Sequence, residues 1–332
     1  MSKEEKFNEL YEKLVSEYSQ EMEKNKDFLE RRYKKESKIA YYSLFVEILL
    51  MGLMVYTYFL SKEGTFSFFI PILIFIIIIV ILAISVMYGR NNTKKYEPYK
   101  KKFKEKIISP IVKSFNQNLE YAYEKRIDEN IYKEAEFEKY ISYKSEDLIE
   151  GILENNCKFI MSELVIEGLE KYNGERKYTT LFKGLFVKVG LNKEFNTKLY
   201  LRRDIREKEK AFKQDLDKLR LQLDSQEFEN IFNIYTSNKI VAMQLLTADI
   251  MEMLVKFNQE MKYEITIKDN NIYIRFFCGE MFEPPSLEAF AIASSMNTKS
   301  LDKNILYKYY KMLDFTFELT NKLEKIINEL QY

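Results

Sequence analysis

Histidine is absent from the 332 residues, and cysteine occurs only twice, at Cys157 and Cys278. Without histidine the chain lacks the commonest general base, the commonest metal ligand and a member of most nucleophilic triads. Two cysteines cannot alone complete a four-ligand zinc site or staple a small fold, and they read as buried or idle thiols of a reducing compartment. Charge of one sign is missing as well. Lys and Arg number 52 against 51 Asp and Glu, a formal +1, so no overall field draws the chain to nucleic acid. The nine glycines form neither a G-x-x-x-x-G-K-[ST] nor a G-x-G-x-x-G run, which removes the usual phosphate cradles. No catalytic residue, cofactor or metal site is therefore expected, and an enzyme is the less favoured class.

Long apolar runs are what the sequence does have. Residues 39–60 read "IAYYSLFVEILLMGLMVYTYFL" and residues 66–88 read "FSFFIPILIFIIIIVILAISVMY", each long enough to cross ~30 Å of hydrocarbon as a helix. "IFIIIIVILAI" is apolar on every face, unlike a helix laid on a soluble core. The short link between the runs allows only a hairpin. Arg31, Arg32, Lys34, Lys35 and Lys38 precede it, and Arg90, Lys94, Lys95, Lys100, Lys101 and Lys102 follow it, whereas the link carries Lys62 offset by Glu63. This asymmetry predicts an inner-membrane hairpin with both termini cytoplasmic. The second basic cluster also offers contacts to anionic lipid. Glu47 lies five residues past Tyr42, about one and a half helical turns deeper, where a carboxylate reaches for the headgroups or bonds across the hairpin, with a role in an ion pathway as the less favoured alternative. Pro71 opens the second run, where a missing N–H costs least.

The flanks are amphipathic. Phe7, Leu10, Tyr11, Leu14, Tyr18 and Met22 recur at helical spacing, and so do Tyr99, Phe103, Ile107, Ile111, Phe115 and Leu119. The predicted organisation is a cytosolic helix over 1–38, a membrane hairpin over 39–88, a helical stalk over 89–145 packed on the first helix, and a cytosolic domain over 146–332. In that domain the period changes to two. "KFIMSELVIEGLEKYNGERKYTTLFKGLFVKVGL" reads as two strands turning at Asn173 and Gly174, and "KLYLRRD" as a third. A charged helix through Phe212, Leu216, Leu219 and Leu223 leads to the strand "NIYTS". Thr247 is placed to cap a helix, "YEITIKDNNIYIRFF" turns at Asp269 to Asn271, and a long amphipathic helix runs from Asp302. Asp215, Asp217, Glu227 and Glu229 read as solvated charges. Strands in hairpins with helices between them predict an α+β fold with a mainly antiparallel sheet and flanking helices.

Three blocks in order, "LFKGLF" from Leu181, "FENIFNIYTSNKIVAMQLLTADIMEML" from Phe228 and "NNIYIRFFCGEMFEPPSL" from Asn270, resemble the bacterial domain-of-unknown-function family numbered 3137. The chain departs from that pattern at Ala248, where proline is expected after the capping threonine. The resemblance implies a membrane hairpin and a cytosolic domain, with no reaction to carry over, and it points to LemA-like membrane proteins as partners. Within the third block Phe282, Glu283, Pro284 and Pro285 place an aromatic beside a stiff extended segment. That stretch reads either as a lid on the sheet or as a docking loop for a protein partner. The expected function is a membrane-anchored adaptor or scaffold. A membrane-proximal enzyme is the alternative, and a small transport component comes third.

Overall fold

The computed structural model describes residues 3–62, 64, 69–85, 104–172, 175–203, 219–277 and 303–330. Asn173, Gly174, Cys278, most of the charged helix around Phe212 and the whole "FEPP" stretch lie outside the described residues. The chain divides into two compact units, one built from residues 3–13, 104–277 and 303–330 as far as they are described, the other from residues 14–62 and 69–85.

One uninterrupted helix, α1 (Lys3–Lys62), begins in the first unit and continues into the second, where it contains the first apolar run. The division at residue 38 is therefore not a break in the helix, because no glycine or proline interrupts the chain there. Residues Tyr41–Lys62 form the one described helix long and apolar enough to cross a membrane. The neighbouring α2 (Phe69–Ser85) is a shorter apolar helix. The two meet at Ser43 and Ser85, whose hydroxyls are 2.8 Å apart. Glu47 is buried beside this pair and accepts a 3.2 Å bond from Ser43 Oγ; Thr57 is buried as well, its hydroxyl donating to the Leu53 and Met54 carbonyls of its own helix. Outward lie Leu44, Phe45, Ile48, Leu49, Phe75 and Ile79, all exposed. Water solvates such a surface poorly, and a protein core would have covered it.

The first unit is a sheet of nine strands, every pairing antiparallel. In chain order these are β1 (Glu120–Ala122), β2 (Ser142–Ile152), β3 (Lys158–Tyr172), β4 (Glu175–Gly190), β5 (Leu199–Arg202), β6 (Arg220–Leu221), β7 (Asn233–Thr236), β8 (Tyr263–Lys268) and β9 (Asn271–Phe277). Across the sheet the order is β1-β2-β3-β4-β9-β8-β5-β7-β6. The helices are α3 (Ser109–Phe115), entered from a π-turn at Lys104–Ile108, then α4 (Glu129–Glu134), α5 (Gln226–Glu229), α6 (Lys239–Leu245), α7 (Ala248–Asn258) and α8 (Lys303–Glu329). Thr247 caps α7 as its position predicts, accepting the Ile250 amide. The β8–β9 turn sits at Asp269 and Asn270, both at positive φ (47° and 59°), the conformation that a two-residue hairpin demands and that these side chains tolerate.

Period-two alternation splits the sheet's residues between two layers. On one face Phe159, Tyr263 and Phe276 pack against Phe315 and Phe317 of α8. On the other, Phe182, Phe186 and Tyr273 pack with Tyr132 of α4 and with Phe137. Of the stretch expected as a stalk, residues 89–103 lie outside the described residues, and residues 104–145 belong to the sheet unit, because β1 extends its edge and α4 with the following segment covers one face. Phe7 packs on Tyr307 and Tyr310 of α8, and Phe115 packs on the same helix at Tyr310 and Phe317, since α8 offers an aromatic stripe wide enough for both.

Candidate functional site

Three groups of polar residues stand out in the sheet unit. The first lies under the strap Glu134–Glu138, "EAEFE". Cross-strand register lines up Phe186, Arg275 and Glu264 on β4, β9 and β8, and next to them Lys188, Tyr273, Thr266 and Tyr200. Each strap glutamate reaches one of these cations or hydroxyls. Glu134 takes Lys188 at 2.7 Å and the Tyr273 hydroxyl at 3.1 Å, Glu136 takes Lys268 and Tyr200, and Glu138 takes Arg275 and Tyr132. Two guanidinium groups, Arg202 and Arg275, each lie 4.5 Å from the Phe137 ring centre. Arg275 also grips Glu264 through Nε at 2.7 Å and Nη2 at 2.6 Å. Burial pushes the Glu136 carboxyl upward, but the bonds from Lys268 and Tyr200 outweigh it and hold the group below its ordinary value. Burial lowers Arg202 to about 10, still charged at neutral pH. Its Nη atoms bond Ile265, Glu136 and Thr266, while its Nε has no protein partner. The network is closed over by the strap, so it is an organiser of the fold rather than an open site.

The second group is a cage of carboxylates. Asp147 stands at a bulge in β2 with φ +61°, and its oxygens lie within 4.8 Å of those of Glu146 and Glu163. Such a trio has the donor chemistry for a hard cation. Here the cation is the protein's own: Lys104 Nζ is 2.6 Å from Asp147 Oδ2, and Tyr121 donates to Oδ1 at 2.5 Å.

The third group surrounds open space. Between α7, α8 and the first turn of α1 lies a groove of about 700 Å³. Phe257 and Phe315 stack at 3.9 Å in its floor, and Met253, Tyr307 and Tyr310 add apolar lining. Six carboxylates and four lysines rim it. Of these Lys311 pairs with Glu260 at 2.5 Å, and Lys3 with Asp314 and Glu318 at 2.7 and 2.6 Å. An aromatic floor inside a mixed but net acidic rim suits the apolar face of a basic amphipathic helix.

Of the residues singled out from sequence, Phe282, Glu283, Pro284 and Pro285 and the lipid-contact set Arg90, Lys94, Lys95, Lys100, Lys101 and Lys102 lie outside the described residues. Cys157 is buried beside Asn192 and Glu324. Burial first, and Glu324 second, push its thiol up to about 12, so it is not a reactive thiolate. Sequence reasoning missed the groove, although the block containing α7 carries Met253 and Phe257. The pairing of that block with the carboxy-terminal helix leaves no trace in local periodicity.

The sequence model of the family described as Protein of unknown function (DUF3137) matches residues 180–325, which bears out the resemblance over that segment. No curated relative matches the chain. Among solved structures, the crystal structure of the mycobacterial trehalose monomycolate transport factor A, TtfA, aligns at 9% identity with a TM-score of 0.30, over 65% of this chain and 95% of that one.

Proposed function

We propose that the DUF3137 segment is the binding half of a membrane-anchored adaptor, with the α7–α8 groove as its docking site. The observation that carries this reading is the groove itself, whose stacked Phe257–Phe315 floor faces open space within residues 180–325. Its occupant is an amphipathic helix of a protein partner that presents apolar residues to the floor and lysine or arginine to the net acidic rim. A LemA-like membrane protein is the partner to look for first. In the same reading α1 and α2 form an inner-membrane hairpin with both termini in the cytoplasm, the basic set from Arg90 to Lys102 meets anionic headgroups, and the Phe282 to Pro285 loop adds a second contact to the partner.

Topology is tested by labelling. Gly64 lies between the two apolar helices with open space around it; its φ of +74° is unfavourable for a side chain, but the position is in a turn outside both helices, so a cysteine there costs only local backbone adjustment. In a background with Cys157→Ser and Cys278→Ser, Gly64→Cys reacts with an impermeant maleimide on intact cells, whereas in the unaltered chain the native cysteines react only after lysis and unfolding in denaturant, which frees the buried Cys157. Labelling of Cys157 or Cys278 from outside overturns the orientation.

Docking is tested by a photo-crosslinking amino acid at Met253 of the full chain in its native membrane. The expected result is a discrete light-dependent adduct to one protein, identified by mass spectrometry, with none from the exposed control position Ile240. Absence of an adduct at Met253, together with turnover of a metabolite or lipid by the purified chain, defeats the adaptor and promotes the enzyme.

A further inference from the structure

The groove's third wall is the chain's own amino-terminal segment, docked antiparallel on α8 by one stripe of α1. Lys3 reaches Asp314 and Glu318 at 2.7 and 2.6 Å. Phe7, 1% exposed, sits 4.9 and 5.3 Å from the Tyr307 and Tyr310 rings, and Tyr11 lies under the Lys303 ammonium at 5.3 Å. Residues four apart on a helix share a face, so a cation and an aromatic one turn away are what this strip of α8 selects. We propose that residues 3–13 are a resident competitor for the groove's partner, and that the partner helix carries the same pair, Lys or Arg followed four residues later by an aromatic. The proposal rests on the groove being the docking site and names the chemistry recognised there.

The attachment is of a kind that a ligand can replace. Lys3 is 58% exposed in its ion pairs, and such pairs add little to stability in water. One aromatic side chain, Phe7, is the main buried anchor of the segment. Its removal bares Tyr310 and the two carboxylates and widens the groove on the side where Lys3 and Glu4 now stand. A segment bound to its own domain lowers the apparent affinity of any competitor by the fraction of time it is docked. Partner binding is thereby made conditional on release of residues 3–13.

The test uses the full chain in detergent micelles and, as probe, a fluorescent peptide of residues 3–14. The variant Lys3→Glu/Phe7→Ala, with its own segment disabled, binds the peptide at least tenfold more tightly than the unaltered chain. Adding Glu318→Lys removes the gain, as does Phe7→Ala in the peptide. Equal binding by the two proteins, or none by a folded variant, overturns the proposal. Hydrogen exchange on the unaltered chain decides independently of any variant's folding. Amides of residues 4–13 exchange at least tenfold faster than those of β3 and β4 if the segment opens locally, and equal protection makes it a permanent wall. The peptide is defined, so its failure with a positive Met253 crosslink removes only the competitor. Peptide binding without a crosslink retains the strip and removes the protein partner.

Discussion

Arg275→Leu lowers the stability of the sheet unit by about 3–5 kcal/mol, the range for breaking a buried pair on one side. Both carboxylates that Arg275 serves are buried, with side-chain exposures of 2% for Glu138 and 7% for Glu264. Leucine fills part of the volume but leaves two anions without their cation and the Tyr132 hydroxyl without one of its partners. Phe137 also loses one of the two guanidinium groups against its ring. For a domain of this size the loss corresponds to a fall in the thermal midpoint of roughly 10 °C or more. Near-ultraviolet circular dichroism of the full chain in detergent reads it through the packed tyrosines. A triple change, Arg275→Leu with Glu138→Met and Glu264→Leu, recovers most of the loss, because the charges then vanish together. If the single variant melts within ~2 °C of the parent, the strap is not held by this network.

Lys104→Met costs a similar ~3–5 kcal/mol, for the complementary reason. It withdraws the ammonium from Asp147, which is fully buried, while the oxygens of Glu146 and Glu163 remain within 4.8 Å. Carboxylates at that separation repel once their cation is gone, which adds to the loss. Thermal melts of the full chain in detergent measure it, and a midpoint within ~2 °C of the parent shows that the cage does not depend on this ammonium. Divalent cation added to the variant supplies a second readout, since the emptied cage has oxygen donors for it.

The strands that carry both networks were legible in part. The β3–β4 and β8–β9 hairpins, β5, β7, the Thr247 cap and the long helix from residue 303 all follow from periodicity and turn chemistry that act over a few residues. β2 was not legible. Its "SYKSEDLIEGI" alternates poorly because a bulge at Glu146 to Ile149 shifts the phase of its side chains midway, and Asp147 is buried against expectation for a charged residue. The strap was equally hidden: "EAEFE" reads as solvated acid until four strands are assembled beneath it with a cation opposite each glutamate.

The sequence by itself determined what local rules determine: two apolar stretches, the antiparallel hairpins, the amphipathic faces of α7 and α8, and the family blocks within residues 180–325. Only the tertiary structure decided which faces meet. Residues 3–13 rest on α8, residues 104–145 join the sheet unit, and Phe257 finds Phe315 across 57 intervening positions to floor a groove. Apolar stripes of similar width and composition are interchangeable as partners in a linear reading, because burial is nondirectional and proportional to area. The choice among them is made by shape, register and charge, which exist only once the chain has been brought together.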